Sequence, residues 1–178
     1  MFNPSKKLVV DCYADADFAG LWVHEDRQDP ICARNRTGFV LTFSNCPLLW
    51  VSKLHTEIDL STLHSEYMEF PHSVRALLPL KILIKEVIEN LGIDSENLKF
   101  VSSSTIYEDN NVAIAVATST RTTPTSKHIA LKYHWFRQHV GKKFVIWNIE
   151  SENQKADIFT KGLQGQIFVR IRKLLCGW

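Results

Sequence analysis

The four cysteines, Cys12, Cys32, Cys46 and Cys176, include no CxxC pair, which argues against a zinc site. Reduced, packed thiols are expected instead, with Cys12 inside an apolar strand. Long uninterrupted apolar runs are missing too. The nearest, residues 77–88, is broken by Pro79, Lys81, Lys85 and Glu86, so no membrane span is expected. Residues 1–7 carry no apolar signal region, which argues against secretion and for an intracellular, cytoplasmic protein. Repeats and low-complexity linkers are also absent. With 178 residues and 45% hydrophobic content, the chain is expected to form a single domain over residues 1–178, with 1–6 as a flexible N-terminus.

The net charge is only +2, but it is unevenly spread. Residues 1–120 hold 10 Lys/Arg against 16 Asp/Glu, and residues 121–178 hold 11 against 3. An acidic part followed by a basic part suits a protein that binds metal in one place and phosphates in another, although solvated surface charge gives the same pattern.

Alternation and turn signals predict strands over 7–13 (ending near Asp15), 37–43 and 48–52, the last two joined through Ser44-Asn45-Cys46-Pro47. Three strands in succession predict an antiparallel meander. A long helix over 61–91 follows, with Leu63, Tyr67, Phe70, Val74 and Leu77 as one apolar stripe and Gly92 as its stop. Pro71 and Pro79 predict a kink or break within it. Beyond it come a strand over 99–107, a short helix over 111–118, a Ser/Thr-rich loop over 119–126 and a helix over 129–140. A fifth strand over 143–149 and helical pieces over 154–161 and 166–175 complete the chain. The order predicts an α/β fold on a five-stranded mixed sheet, its first three strands antiparallel, flanked by helices.

Four acids stand at the ends of these elements. Asp15 closes the first strand, Glu66 lies in the first turns of the long helix, Asp109 closes the fourth strand, and Asp157 opens a late helix. Carboxylates at element ends can converge, and converging carboxylates need a cation, a pattern that suits two-metal phosphoryl-transfer chemistry. Asp17 shares Asp15's strand face and is its rival. Glu69 and Glu108 are nearby acids expected at the surface or behind the ligands.

The words around these acids resemble the ribonuclease H domain of copia-type LTR retrotransposon Pol polyproteins. YADADFAG (13–20) is similar to the family's YSDADWAG, TGFV (37–40) to SGYVF, and LWVSK (49–53) to ISWSSK. LSTLHSEY (60–67) resembles LSSTEAEY, YEDN (107–110) resembles YCDN, and SKHIALKYH (126–134) resembles TKHIDIRYH. SENQKADIFTK (151–161) resembles TEDQLADILTK. The matches run in order over nearly the whole chain. Departures include His64 in place of Glu, Ala130 in place of Asp, Thr125 in place of Arg, and the two helix prolines. None falls on the four acids.

The resemblance implies a ribonuclease H-like fold and a metal-dependent endonuclease that hydrolyses the RNA strand of RNA–DNA hybrids during reverse transcription. It implies Asp15, Glu66, Asp109 and Asp157 as catalytic metal ligands for two Mg²⁺ ions, replaceable by Mn²⁺. It also implies a reverse transcriptase polymerase as partner in a parent polyprotein, housed in a virus-like particle. The chain itself carries no polymerase signature, as expected of an excised domain or a remnant. Asn110, Ser126, Lys127 and His128 are candidate nucleic-acid contacts; helix capping by Asn110 and a structural hydrogen bond from His128 are their plainer roles. The connection 150–154 lacks the mobile His that many ribonucleases H carry there. Trp50, Trp135 and Trp147 are expected to pack in the core, and Lys161, Arg170, Arg172 and Lys173 to form a solvated basic end. Two other readings compete. One is a catalytically weak or inactive module kept for nucleic-acid binding or assembly, which loss of a carboxylate would favour. The other is an integrase-type enzyme, which typically places its acid on a late helix, unlike Glu66.

Overall fold

The computed structural model describes residues 4–5, 7–20, 33–56, 58, 61–93, 104–119 and 134–178. Its sheet has five strands: β1 (Val10–Asp17), β2 (Arg36–Phe43), β3 (Cys46–Leu54), β4 (Ser104–Glu108) and β5 (Phe144–Asn148), in spatial order β3-β2-β1-β4-β5. The first three pair antiparallel, as expected, while β4 runs parallel to β1 and β5 parallel to β4. Helices α1 (Thr62–Asn90), α2 (Asn111–Thr118) and α3 (Gly165–Cys176) flank the sheet. Short 3-10 turns at Trp135–His139, Ser151–Asn153 and Lys155–Phe159 link them.

The β2–β3 hairpin turns on Ser44 and Asn45 alone, with φ of 51° and 67°, so that Phe43 pairs with Cys46. Two successive residues at positive φ match the right-handed twist of the strands, and Asn tolerates that region well. Cys46 and Pro47 therefore belong to β3 rather than to the turn. Pro47 is accommodated because β3 is an edge strand and its register shifts beside Pro47.

β1 continues past Asp15 to Asp17 because its antiparallel partner continues too, pairing Asp15 with Gly38 and Asp17 with Arg36. Alternation along β1 sends Val10, Cys12 and Ala14 into the larger core, where Tyr67, Phe70, Val74 and Leu77 of α1 meet them, all fully buried. Leu63, the first residue of the predicted stripe, packs at that core's margin. Of the kink or break expected at Pro71 and Pro79, the break does not occur: α1 is one helix of 29 residues. Each internal proline removes a backbone bond and costs a helix roughly 3 kcal/mol. Burial of four large side chains on one face, at about 1.5–3 kcal/mol each, outweighs that where the stripe is packed. Gly92 takes φ of +64° after the helix, as its stop role requires, and Ile93 N–H reaches back to Ile88 O at 3.3 Å.

A smaller core on the opposite sheet face joins Val40 to Ile171 and Leu175 of α3, with Tyr13, Ile158 and Phe159 at its margin. Strand register aligns Trp50, Val40, Tyr13, Tyr107 and Trp147 in one row across that face. The covering elements reach only the middle of this row. Trp50 and Trp147, on the two edge strands, are 60% and 65% exposed, contrary to the expectation of core packing. Trp135 is half-buried against the larger core, with Arg75 over its ring at 5.9 Å. Of the predicted strand 99–107, residues 99–103 lie outside the described residues. Of the predicted helix 129–140, the described part is the 3-10 turn Trp135–His139. Cys12, Cys46 and Cys176 are free thiols, Cys12 fully buried. No described helix is long and apolar enough to cross a membrane.

Candidate metal centre

Parallel pairing of β1 with β4 brings the chain leaving each strand to the same end of the sheet. Asp15 comes from β1, Asp109 follows β4 directly, and Glu66 rises from the second turn of α1. One carboxylate oxygen from each lies within 4.8 Å of the other two. At an effective dielectric of 20, two unit charges at that spacing repel by roughly 3–4 kcal/mol. Three ionised acids so placed would consume much of a domain's ordinary stability of about 5–15 kcal/mol. Such a cluster is therefore held either partly protonated or by a cation.

The carboxyls are shifted accordingly. Glu66 is pushed up to about 9, first by burial and then by the charges of Asp15 and Asp109, despite accepting the Ala16 N–H at 3.1 Å. Burial likewise raises Asp15, against the opposing pull of Lys161. Asp157 is pushed up to about 7, again mainly by burial and then by Asp15.

Asp157 reaches the site differently from the other three. It sits in the 3-10 turn Lys155–Phe159 rather than at a helix start, and it falls outside the close trio. Lys161 bridges the gap, with Nζ 3.2 Å from Asp15 Oδ1 and 3.1 Å from Asp157 Oδ1. Burial alone would lower the Lys161 ammonium; the two carboxylates beside it outweigh that and raise it. The expectation of a solvated Lys161 is thereby corrected. The i,i+4 spacing of Asp157 and Lys161 was the signal that could have revealed it.

Several further groups brace the acids. Thr160 Oγ1 hydrogen-bonds Asp15 Oδ2, and Ser151 Oγ donates to Asp109 Oδ2 at 2.7 Å. Gln154, fully buried, donates its side-chain amide to Ala14 O at 2.8 Å and Tyr107 O at 3.3 Å, clipping β1 to β4 beside the acids. Glu108 Oε1 accepts the N–H groups of Asp109 and Asn110, which fixes the start of the turn that presents Asp109. Glu108 and Glu69 are both fully buried, so neither is a surface acid, and burial raises both well above the usual range. Glu69 shares the helix face of Glu66 by its i,i+3 spacing, a relation visible in the sequence.

The buried oxygens fit a hard divalent cation. Glu108 Oε2 and both oxygens of Glu69 lack a hydrogen-bond donor, while Asp15 Oδ1 and Asp157 Oδ1 face the Lys161 ammonium. An all-oxygen donor set suits Mg²⁺ or Mn²⁺ better than Zn²⁺.

The remaining predicted residues divide. Asp17 is half-buried and is not part of the trio. Asn110 caps α2, accepting from Val112 N at 3.0 Å and Ala113 N at 3.1 Å. Ser61 caps α1 by accepting His64 N–H at 3.1 Å, the half of a capping box that survives His64. Ser126, Lys127 and His128 lie outside the described residues. The connection expected to lack a His instead forms the turn that supplies Ser151.

Gly38 allows the whole bracket to close. A Cβ there would lie 2.5 Å from Thr160 Cγ2 and 2.9 Å from Phe159 Cβ. Gly38→Ala is expected to cost about 1–3 kcal/mol through this overlap. By displacing Thr160 it should also loosen the hold on Asp15 and weaken any divalent-ion binding there. Thermal melting with and without Mg²⁺ checks it, and an unchanged melting temperature would contradict the packing argument.

Solved structures share this fold. LC11-RNase H1, isolated from compost by a metagenomic approach, matches with a TM-score of 0.55 over 85% of this chain and 92% of its own, at 16% identity. The same enzyme in complex with an RNA/DNA hybrid matches with a TM-score of 0.51 at 17% identity, over 85% of this chain and 93% of its own. The fold is that of ribonuclease H. No protein-family model matches the chain. Its relatives in sequence are copia-type retrotransposon Pol polyproteins. That from transposon TNT 1-94 of Nicotiana tabacum is 27% identical over 168 residues, 94% of this chain. That from transposon RE1 of Arabidopsis thaliana is 26% identical over 162 residues, 90% of this chain. The ribonuclease H-like chain spans only about a tenth of the length of these relatives, 11% and 10% respectively.

Proposed function

We propose that this chain is a metal-dependent ribonuclease H that hydrolyses the RNA strand of RNA–DNA hybrids during reverse transcription of a retrotransposon. The observation that carries the reading is the convergence of Asp15, Glu66 and Asp109, from three separate elements, within 4.8 Å on a ribonuclease H fold. The relatives support the retrotransposon setting, and the hybrid bound to a structural neighbour supports the substrate.

Asp15, Glu66 and Asp109 would hold one divalent ion, with Asp15 and Asp157 completing a second position. Two such ions supply an activated water and stabilise the leaving 3′-oxygen of an in-line displacement. The chain's own work is to keep the carboxylates aimed. Thr160 orients Asp15, Ser151 orients Asp109, the Ala16 N–H orients Glu66, and Gln154 holds the spacing of the two central strands. RNA would be told from DNA by its 2′-hydroxyls in the wide minor groove. Asn110, Ser126, Lys127 and His128 are proposed to contact the hybrid. The partner is a reverse transcriptase polymerase in the same polyprotein, acting inside the cell in a virus-like particle.

The test is a labelled RNA–DNA hybrid incubated with Mg²⁺ or Mn²⁺, comparing wild type with Asp109→Asn. Cleavage by the wild type and none by the variant is expected. No cleavage by either would sink the enzymatic reading for this chain and favour a binding or assembly module, while equal cleavage would point to a contaminant.

A further inference from the structure

The four acids are not held alike. Among the described residues, Glu66 and Asp109 make no ion pair with a basic side chain, whereas Asp157 and one edge of Asp15 share the Lys161 ammonium at 3.1 and 3.2 Å. The two oxygens of Asp15 are themselves divided, Oδ2 toward Thr160 and Oδ1 toward Lys161. A cation thus already sits between Asp15 and Asp157, on a side chain 38% exposed and carried by a flexible four-carbon stem just past a 3-10 turn.

We propose that Lys161 is a built-in competitor for the second metal position. The Asp15–Glu66–Asp109 side accepts a divalent ion directly, while the Asp15–Asp157 side accepts one only by expelling the ammonium to solvent. This rests on the metal-dependent reading above. Two ammonium–carboxylate contacts near 3 Å must be given up for the second ion to enter. The exchange also makes physical sense of the resting protein. With no ion in that position, Lys161 offsets like-charge repulsion that would otherwise push Asp157 from the site. Lys161 is thereby a positioning residue that sets the order and concentration at which the centre loads.

The experiment is divalent-ion binding by the full chain, measured calorimetrically with Mg²⁺ and by electron paramagnetic resonance with Mn²⁺. Wild type, Lys161→Gln and Lys161→Arg are compared, with melting curves as the check of folding. Wild type should bind one ion well and a second weakly. Lys161→Gln should tighten the second by about tenfold or more, which is about 1.4 kcal/mol, and change the first far less. Lys161→Arg, which keeps the charge, should stay close to wild type. A second measurement uses the wild type alone: saturating Mg²⁺ should raise acylation of the Lys161 amine several-fold relative to exposed Lys142, read by peptide mass spectrometry. That measurement decides the matter if the variants fail to fold.

An equal tightening of both ions in Lys161→Gln would reduce the effect to general charge and overturn the proposal. So would a second ion unmoved by the substitution, or a Lys161 reactivity indifferent to Mg²⁺. If the wild type binds one ion that Asp109→Asn abolishes, while Lys161→Gln changes nothing, only this inference fails. If the wild type binds no ion at all, the metal-dependent reading fails with it.

Discussion

Glu66→Gln is expected to lower hybrid cleavage by at least about 10³-fold and, in the same protein, to raise the melting temperature of the metal-free form. The first effect follows from losing one anionic ligand where charge must be stabilised, worth several kcal/mol of barrier at about 1.4 kcal/mol per decade. The second follows from the cost of keeping that acid where it is. Glu66 is buried to 7% exposure beside Asp15 and Asp109, and its carboxyl is pushed up to about 9. Glutamine keeps the shape, and its side-chain oxygen can still accept the Ala16 N–H. It removes the charge that burial and neighbours oppose. Initial rates on a labelled hybrid and melting curves in EDTA at pH 8 measure the two effects together. A variant that is both inactive and less stable would show that Glu66 serves the fold rather than the site.

The metal-free wild type is expected to lose thermal stability as pH rises across the neutral range, and Mg²⁺ is expected to restore it. Below the ordinary Glu value of 4.5, folded and unfolded chains both hold the Glu66 proton, and burial of the charge costs nothing. Between 4.5 and about 9 the folded chain keeps a proton that the unfolded chain has released, so stability falls with each pH unit. Above about 9 both states are ionised and the full cost is present. Asp157 adds to the same slope over a lower window, from its ordinary 3.8 to about 7. Because the acids titrate together, a total decline on the order of 10 °C is expected, at about 2–4 °C per kcal/mol for a chain this size. A divalent ion would bind the ionised cluster under the proposed function, so Mg²⁺ should raise the melting temperature more at pH 8 than at pH 6. Glu66→Gln should flatten the metal-free curve. Melting scans in EDTA from pH 5 to 9 that are level, or that climb, would refute this account.

Much of the architecture was legible because the signals that specify it are local. Alternation marked β1, β2 and β3, the stripe from Leu63 to Leu77 marked the buried face of α1, and Gly92 marked its end. The spacing of Asp15, Glu66 and Asp109 at element ends was readable for the same reason, since an element's boundary is written in neighbouring residues. Where expectation and structure part, a contact distant in sequence intervened. Propensity alone predicts a kink or break at Pro71 and Pro79, but the core against β1 carries the helix through without a break. Trp50 and Trp147 look like core residues from their composition, yet they stand on the two edge strands and are 60% and 65% exposed. For Glu69 and Glu108 the sequence left open the surface or a place behind the ligands, and burial of both decides for the second.

By itself, then, the sequence marked Asp15, Glu66 and Asp109 near the ends of their elements, in a vocabulary that resembles one family's. The tertiary structure decided how those acids are held. Parallel pairing of β1 with β4 closed Asp15, Glu66 and Asp109 to within 4.8 Å, and packing of Thr160 and Phe159 against Gly38 carried Lys161 to Asp15 and Asp157. The reason is one of range. Strand and helix periodicity act over a few residues, whereas electrostatic repulsion and desolvation depend on ångström distances between groups up to 146 positions apart, the separation of Asp15 and Lys161.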